Sequence, residues 1–249
     1  MIELKNVSAG YGNKSVLGGM TVSFEKGKLT SIIGVNGCGK STLLKAILGI
    51  LPLSGGEIVI DGTDLDSLRG TALAKKVAYL SQGRSTPDMT VGQLVLHGRF
   101  PYLSYPRRYR QADREAARKA MDDVGIAHLA DKPLFALSGG MRQNAYIAMA
   151  LAQDTDYIFL DEPTTYLDIA HQLELMKLLK ELAEKGKGII TVMHDLPLAF
   201  DFSDRIAVIR DGTSVAQAPP SEIYGSSVIQ EIFGVKTERS ADHKFHYAY

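Results

Sequence analysis

"GVNGCGKST", from Gly34 to Thr42, contains the pattern G-x-x-x-x-G-K-S/T. Glycines in that pattern let the backbone wrap phosphate groups, Lys40 can reach the β and γ phosphates as a mobile point charge, and the Ser41 hydroxyl can ligate Mg²⁺. The bland alternative, a glycine turn that joins strand to helix and binds nothing, is disfavoured by the patterns on either side. Further along, "IFLDEP" ends an apolar run in adjacent carboxylates, Asp161 and Glu162. The first can hold Mg²⁺, directly or through water, while the second polarises an attacking water. Alone, the pair reads equally well as an acidic turn before Pro163. His194 follows the run "IITVM"; a lone histidine is more often a surface or satisfied core residue, but a place at a third strand end favours a functional one. A second glycine turn, Ser138-Gly139-Gly140, opens the helix-like stretch "ALSGGMRQNAYIAMALAQ". Unpaired backbone N–H groups and the positive end of a helix dipole suit an anion there. A chain that binds one nucleotide needs only one such cradle, so the second requires its own explanation.

The elements that must position these residues are legible in the apolar patterning. "LTSIIG" is a short β-branched run stopping at the glycine loop, and "STLLKAILG" reads as the helix that follows, ended by Gly49. "DYIFLDEP" and "GIITVMHD" are two further buried strands, which bring Asp161 and His194 to the ligand-binding edge of a parallel sheet. Asp211-Gly212 sits between two β-prone runs as a hairpin signal, and "GEIVIDGTDL" repeats that style near the front. Leu175, Leu178, Leu179 and Leu182, and likewise Ala117, Ala120, Met121 and Val124, fall at i, i+3, i+4 and i+7 of amphipathic helices. Little between Thr90 and Gln153 reads as strand, so this region is expected to be a helical lobe inserted into an α/β core. After Pro219-Pro220 a short helix and a loose tail are expected. His243 and His246 lie in that tail, and two histidines without further ligands are weak evidence for a metal.

Composition sets the bounds. With 249 residues, 45% of them hydrophobic, the chain can bury a core without staples, and its net charge of +0 provides no field for nucleic acid or an anionic membrane. The single cysteine, Cys38, excludes an internal disulfide and fits a reducing compartment. Within the loop it reads first as a small residue tolerated there; a thiol at a helix N-terminus can also have a lowered pKa, and alkylating it would on that reading block ATP binding. No window offers the about 18 uninterrupted apolar residues of a spanning helix, and the N-terminus has no apolar leader segment; a chain neither exported nor integral in the membrane is expected.

Taken in order, "GVNGCGKST", "LSGGMRQ", "IFLDEPTTYLD" and "VMHD" resemble the nucleotide-binding subunit of an ABC transporter, and the resemblance runs from about Tyr11 to Asp195. It implies a P-loop NTPase α/β core with an antiparallel β subdomain and an inserted α-helical subdomain. Residues 1–88 and 154–220 would form the nucleotide-binding core, 89–153 the helical signature subdomain and 221–249 a C-terminal tail. It also implies a use for the second turn. In the family two ATP-binding subunits pair head to tail, so Ser138, Gly139 and Gly140 would cover the ATP held by the partner's P-loop. Gly34, Asn36, Gly37, Cys38, Gly39, Lys40, Ser41 and Thr42 would form the P-loop cradle. The resemblance gives Tyr11 a place stacked on adenine, Gln82 one near Mg²⁺ and the attacking water, Asp168 one in a loop crossing the dimer interface, and His194 one at the γ-phosphate. Mg²⁺ would then be held by Ser41, Gln82 and Asp161. Two departures stand out: Met141 replaces the usual Gln of the signature, and Val35 replaces a common Pro.

"HGRFPYL", "ALAQDT" and "DEPTTYLDIAHQ" narrow the resemblance to ATPases of importers for ferric siderophores, haem and vitamin B12, although Asn144 departs from a common arginine. This implies a homodimer at the cytoplasmic face of the cell membrane, acting with integral permease subunits and, indirectly, an extracytoplasmic substrate-binding protein, without nucleic acid. The block "GRFPYLSYPRRYR" reads either as an ordinary solvated basic helix start or as a surface that docks a permease segment or lies near lipid headgroups. An ABC ATPase acting on ribosomes or DNA would normally carry two cassettes, a long coiled-coil insertion or basic character, none of which is present. A P-loop kinase would account for Lys40 and Asp161 but leaves "LSGGMRQ" and His194 unexplained.

Overall fold

A computed structural model describes residues 1–83, 86–224, 226–239 and 245–248, and divides into two compact units, residues 1–69 with 179–249 and residues 70–178. The first unit begins with β1 (Ile2–Tyr11), β2 (Lys14–Phe24), β3 (Leu29–Ile33), α1 (Lys40–Ile47), β4 (Leu53–Ile60) and β5 (Thr63–Asp64). The second holds α2 (Thr71–Ala74), β6 (Val77–Leu80), α3 (Val91–His97), α4 (Gln111–Asp123), α5 (Gly139–Ala152), β7 (Tyr157–Asp161) and most of α6 (Ile169–Glu184). The chain then returns to the first unit through β8 (Gly188–Val192), α7 (Leu196–Phe202), β9 (Arg205–Arg210), β10 (Thr213–Ala218), α8 (Pro220–Tyr224), α9 (Val228–Phe233), β11 (Lys236–Arg239) and β12 (Phe245–Ala248).

The first unit contains an antiparallel sheet in the order β2-β1-β4-β5 and the strands β10-β9-β3-β8, in which β3 runs parallel to both of its neighbours. Every residue of β3 and β8 is buried, which is why both strands read as continuous apolar runs rather than alternations. Asp211 and Gly212 take φ of 48° and 76° between β9 and β10, the left-handed pair of a tight hairpin, and Asp61 and Gly62 do the same after β4. Asp204 ties the start of β3 to α6: its carboxylate accepts from the Leu29 N–H at 2.9 Å and from Lys180 Nζ at 2.7 Å. Burial alone would raise its pKa, but the Lys180 and Leu29 bonds outweigh burial and hold it below the ordinary range.

In the second unit β6 and β7 pair in parallel from Val77↔Tyr157 to Leu80↔Leu160, and α5 packs on α3 and α4 through residues such as Leu94, Ala117, Ala120 and Ile147. The expected helical character between Thr90 and Gln153 is present; α3 starts in a capping box in which Thr90 and Gln93 exchange side-chain and backbone bonds. The basic and aromatic block is split in its use. Arg99 donates to Asp113 at 3.2 Å and to the Ala152 carbonyl at 2.9 Å and lies 3.8 Å from the Tyr102 ring centre, whereas Tyr105 is fully exposed. Half of the block therefore builds the lobe.

The short helix expected after Pro219 is present as α8; in place of a loose tail the chain goes on to α9 and an antiparallel strand pair with Lys236 opposite Ala248 and Arg239 opposite Phe245. Phe245 and Tyr247 alternate with smaller or polar residues, a period-two pattern that supports strand pairing. His243 and the side chain of His246 lie outside the described residues. Among the described residues no helix is long and apolar enough to cross a membrane. Asp204→Asn should lower unfolding free energy by about 1–2 kcal/mol at pH 7. Because the folded carboxylate is depressed, that difference should persist above about pH 4 and shrink as pH falls through the lower folded value, as urea melts at pH 7 and 3 would record.

Candidate functional site

The glycine-rich loop of residues 34–39 follows directly from the end of β3. A Cβ on Gly34 would lie 2.3 Å from the Ile209 carbonyl oxygen and 2.7 Å from Cys38 Sγ, so the loop can turn here only without a side chain. Gly39 caps α1 at φ 106°, a left-handed value that favours glycine, and no side chain caps the helix, leaving its first N–H groups for a ligand. Lys40 is buried; its Nζ donates to the Gly34 carbonyl at 2.7 Å and the Val35 carbonyl at 3.1 Å, with no carboxylate partner among the described residues. The hairpin between β9 and β10 braces the loop from below, Gly212 N–H donating to the Cys38 carbonyl at 2.9 Å.

This cradle fits a polyphosphate. A buried ammonium facing neutral carbonyls, beside an uncapped helix N-terminus, is completed by a negative ligand. Val35, Asn36 and Gly37 are exposed on the loop, as is Ser41, while Thr42 is buried behind it. Val35 contributes its carbonyl to Lys40, which requires no proline. Tyr11 ends β1 half exposed, and Lys45 Nζ from the last turn of α1 lies 3.3 Å from its hydroxyl. His194 follows β8 at the surface; β8 is the neighbour of β3, with Val192 opposite Ile32, so His194 and Gly34 leave the sheet at one edge.

The second unit assembles the acidic half. Asp161 is the buried last residue of β7, and Tyr79 donates to its Oδ2 at 3.3 Å. Glu162 turns the chain at φ 50°, and its Oε2 accepts from Gln82 Nε2 at 2.5 Å and from Thr165 Oγ1 at 3.3 Å. Since β6 and β7 are parallel, Gln82 after one and Glu162 after the other emerge side by side. They line a cleft of about 240 Å³ with Gly139, Arg142, Tyr146 and Tyr166. Ser41 hydroxyl, Gln82 amide and Asp161 carboxylate are hard oxygen donors of the kind Mg²⁺ takes. Ser138 caps α5, its Oγ accepting from the Met141 N–H at 3.3 Å. Met141 shapes the turn by its backbone, so the missing Gln leaves the turn intact. Asp168, expected to reach across an interface, is bound within its own chain to His171, a residue that motif reading passed over.

Tyr11, the P-loop and His194 belong to the first unit; Gln82, Asp161, Glu162, Ser138 to Gly140 and Asp168 belong to the second. Cys38 departs from expectation. Burial pushes its thiol up, and the Lys40 ammonium, which pulls it down, only partly offsets this.

A family model described as ABC transporter matches residues 17–165. The chain is 42% identical to the ferric enterobactin transport ATP-binding protein FepC of Escherichia coli (strain K12), covering 93% of this chain and 86% of that protein. It is 44% identical to the petrobactin import ATP-binding protein YclP of Bacillus subtilis (strain 168), covering 94% and 92%. Among solved structures, the dimeric structure of MJ0796, a bacterial ABC transporter cassette, superimposes with a TM-score of 0.74 at 29% identity, covering 88% of this chain and 99% of that one. These likenesses bear out the α/β P-loop fold with its antiparallel and helical additions.

With its pKa raised, Cys38 should react with iodoacetamide more slowly than a free thiol at pH 7.5, the rate still climbing above the ordinary thiol pKa. A rate plateau below pH 8 would instead indicate a helix-activated thiolate.

Proposed function

Because the chain belongs to the ABC transporter family of ATP-binding proteins, we propose that its hydrolysis of ATP energises uptake of an iron chelate, a ferric siderophore before haem or cobalamin, through a separate membrane permease. The observation that carries the cargo class is near-full-length identity to proteins named for ferric enterobactin transport and petrobactin import. ATP binding and hydrolysis are the family's activity. The finer assignments, which follow, are our reading.

Lys40 and the backbone N–H groups of Gly37, Gly39, Ser41 and Thr42 hold the phosphates, with Gly34, Asn36 and Cys38 shaping the loop; Tyr11 supports the base. A bound Mg²⁺, held by Ser41, Gln82 and Asp161, supplies charge neutralisation at the phosphates. Glu162 takes the proton of the attacking water at its carboxylate, Gln82 orients that water, and His194 donates to the γ-phosphate. In phosphoryl transfer such positioning and charge stabilisation provide most of the rate. Residues 89–153 act as the signature subdomain, flanked by the nucleotide-binding core of residues 1–88 and 154–220 and followed by the C-terminal segment 221–249. Ser138, Gly139, Gly140 and Asp168 act on a second copy of the chain, whose P-loop they cover. A homodimer, supported by the dimeric cassette among the solved relatives, sits at the cytoplasmic face of the cell membrane on integral permease subunits. An extracytoplasmic binding protein delivers the cargo, and no nucleic acid takes part.

Glu162→Gln should bind ATP as wild type does but lower kcat at least about 100-fold, as loss of a general base requires; an unchanged kcat contradicts the role. Lys40→Ala should lose nucleotide affinity, measured by equilibrium binding. In cells carrying Glu162→Gln at native expression, uptake of radiolabelled iron should collapse for one siderophore complex. Normal entry of every iron complex would exclude siderophore import and leave the ATPase assignment standing.

A further inference from the structure

Gly140 has no room for a side chain, and the group that fills the space is His171. A Cβ on Gly140 would lie 2.3 Å from Cδ2, 2.8 Å from Cγ and 2.9 Å from Nε2 of that ring. The ring is anchored in turn. Its Nδ1 lies 2.8 Å and 2.9 Å from the two carboxylate oxygens of Asp168, and the His171 backbone N–H donates to Oδ1 at 2.9 Å. Asp168 is held below the ordinary carboxylate range, first by that N–H and then by the ring. An ionised carboxylate accepts only, so Nδ1 carries the proton. The next residue extends the clasp: Gln172 N–H donates to the Asp168 carbonyl at 2.9 Å, and Gln172 Nε2 donates to the carbonyls of Thr164 and Leu167, each at 3.2 Å. The segment from Thr164 to Gln172 is thereby one stiff turn, and the His171 ring presses it against the signature turn.

We propose that His171 is a positioning residue for ATP hydrolysis, locking the Ser138-Gly139-Gly140 turn to the Asp168 loop of the same chain so that both reach a second copy in a fixed relation. The inference rests on the two-copy reading above. Filling the space beside Gly140 is not sufficient for this role, because the lock also needs an N–H donor aimed at Asp168. Asparagine carries such a donor at about the reach of Nδ1, whereas alanine has none, and this separates positioning from packing.

The test is steady-state ATP hydrolysis by the full chain in wild-type, His171→Ala, His171→Asn, Asp168→Ala and Asp168→Ala/His171→Ala forms, with KM and the thermal midpoint for each. ATP-dependent dimerisation of the Glu162→Gln chain, read by sedimentation velocity, establishes the two-copy reading independently, so its failure is separable from a failure here. His171→Ala should lower kcat about tenfold with KM for ATP within about twofold, because groups acting only in the closed arrangement lose kcat rather than binding. His171→Asn should recover at least about half of wild-type kcat, and the double variant should be no slower than the slower single one, as for residues acting as a unit. Wild-type kcat in His171→Ala, an Asn variant as slow as Ala, or losses that multiply in the double variant would each overturn the proposal. Asp168→Ala removes the acceptor while leaving the packed ring in place, so wild-type kcat in that variant overturns it even if His171→Ala does not fold.

Discussion

The buried ammonium of Lys40 donates to two neutral carbonyls, those of Gly34 and Val35, and has no carboxylate partner among the described residues, and this unneutralised charge is the constraint on which the loop depends. Burying a cation without a counter-charge is costly, and the uncapped N-terminus of α1 adds positive potential beside it, so that one anion would satisfy both. The surrounding structure holds that arrangement open. Fully buried β3 ends where the loop begins, the β9–β10 turn bonds the loop from beneath, and Gly34 and Gly212 permit approaches that a single methyl would block.

The acidic residues are arranged by the same logic in the second unit. Two parallel strands deliver Gln82 and Glu162 to one edge, where the amide of one bonds the carboxylate of the other. The same carboxylate also accepts from Thr165 Oγ1 at 3.3 Å, and the backbone turns left-handed at Glu162, with φ of 50°. The glycine turn before α5 is built differently from the first, since Ser138 caps its helix, with Oγ accepting from the Met141 N–H.

Much of this was legible in the sequence because buried parallel strands leave a simple trace. "LTSII", "YIFLD" and "GIITV" are mostly apolar and buried along their whole length, and each is followed within two residues by Gly34, Glu162 or His194. Tight turns were legible too, since Asp-Gly pairs answer a local backbone requirement. What stayed hidden depends on approach between segments distant in the chain. Nothing in "LSGGMRQ" reveals that Gly140 is needed because a histidine 31 positions later packs on it. Cys38 was misread for the related reason that helix position argues for a lowered pKa, whereas burial behind the loop decides the opposite. The C-terminal hairpin escaped because its pairing partner is supplied by a segment of mixed charge and weak strand propensity.

The central claim, that the site is completed by a second copy, is tested most directly by sedimentation velocity of the Glu162→Gln chain, whose monomer is 27.1 kDa, with and without ATP and Mg²⁺. The account predicts a monomer without nucleotide, a dimer with it, and a monomer under both conditions when Ser138→Arg is added to the same chain. A chain that stays monomeric with ATP bound, or that dimerises equally well with arginine at position 138, would contradict it.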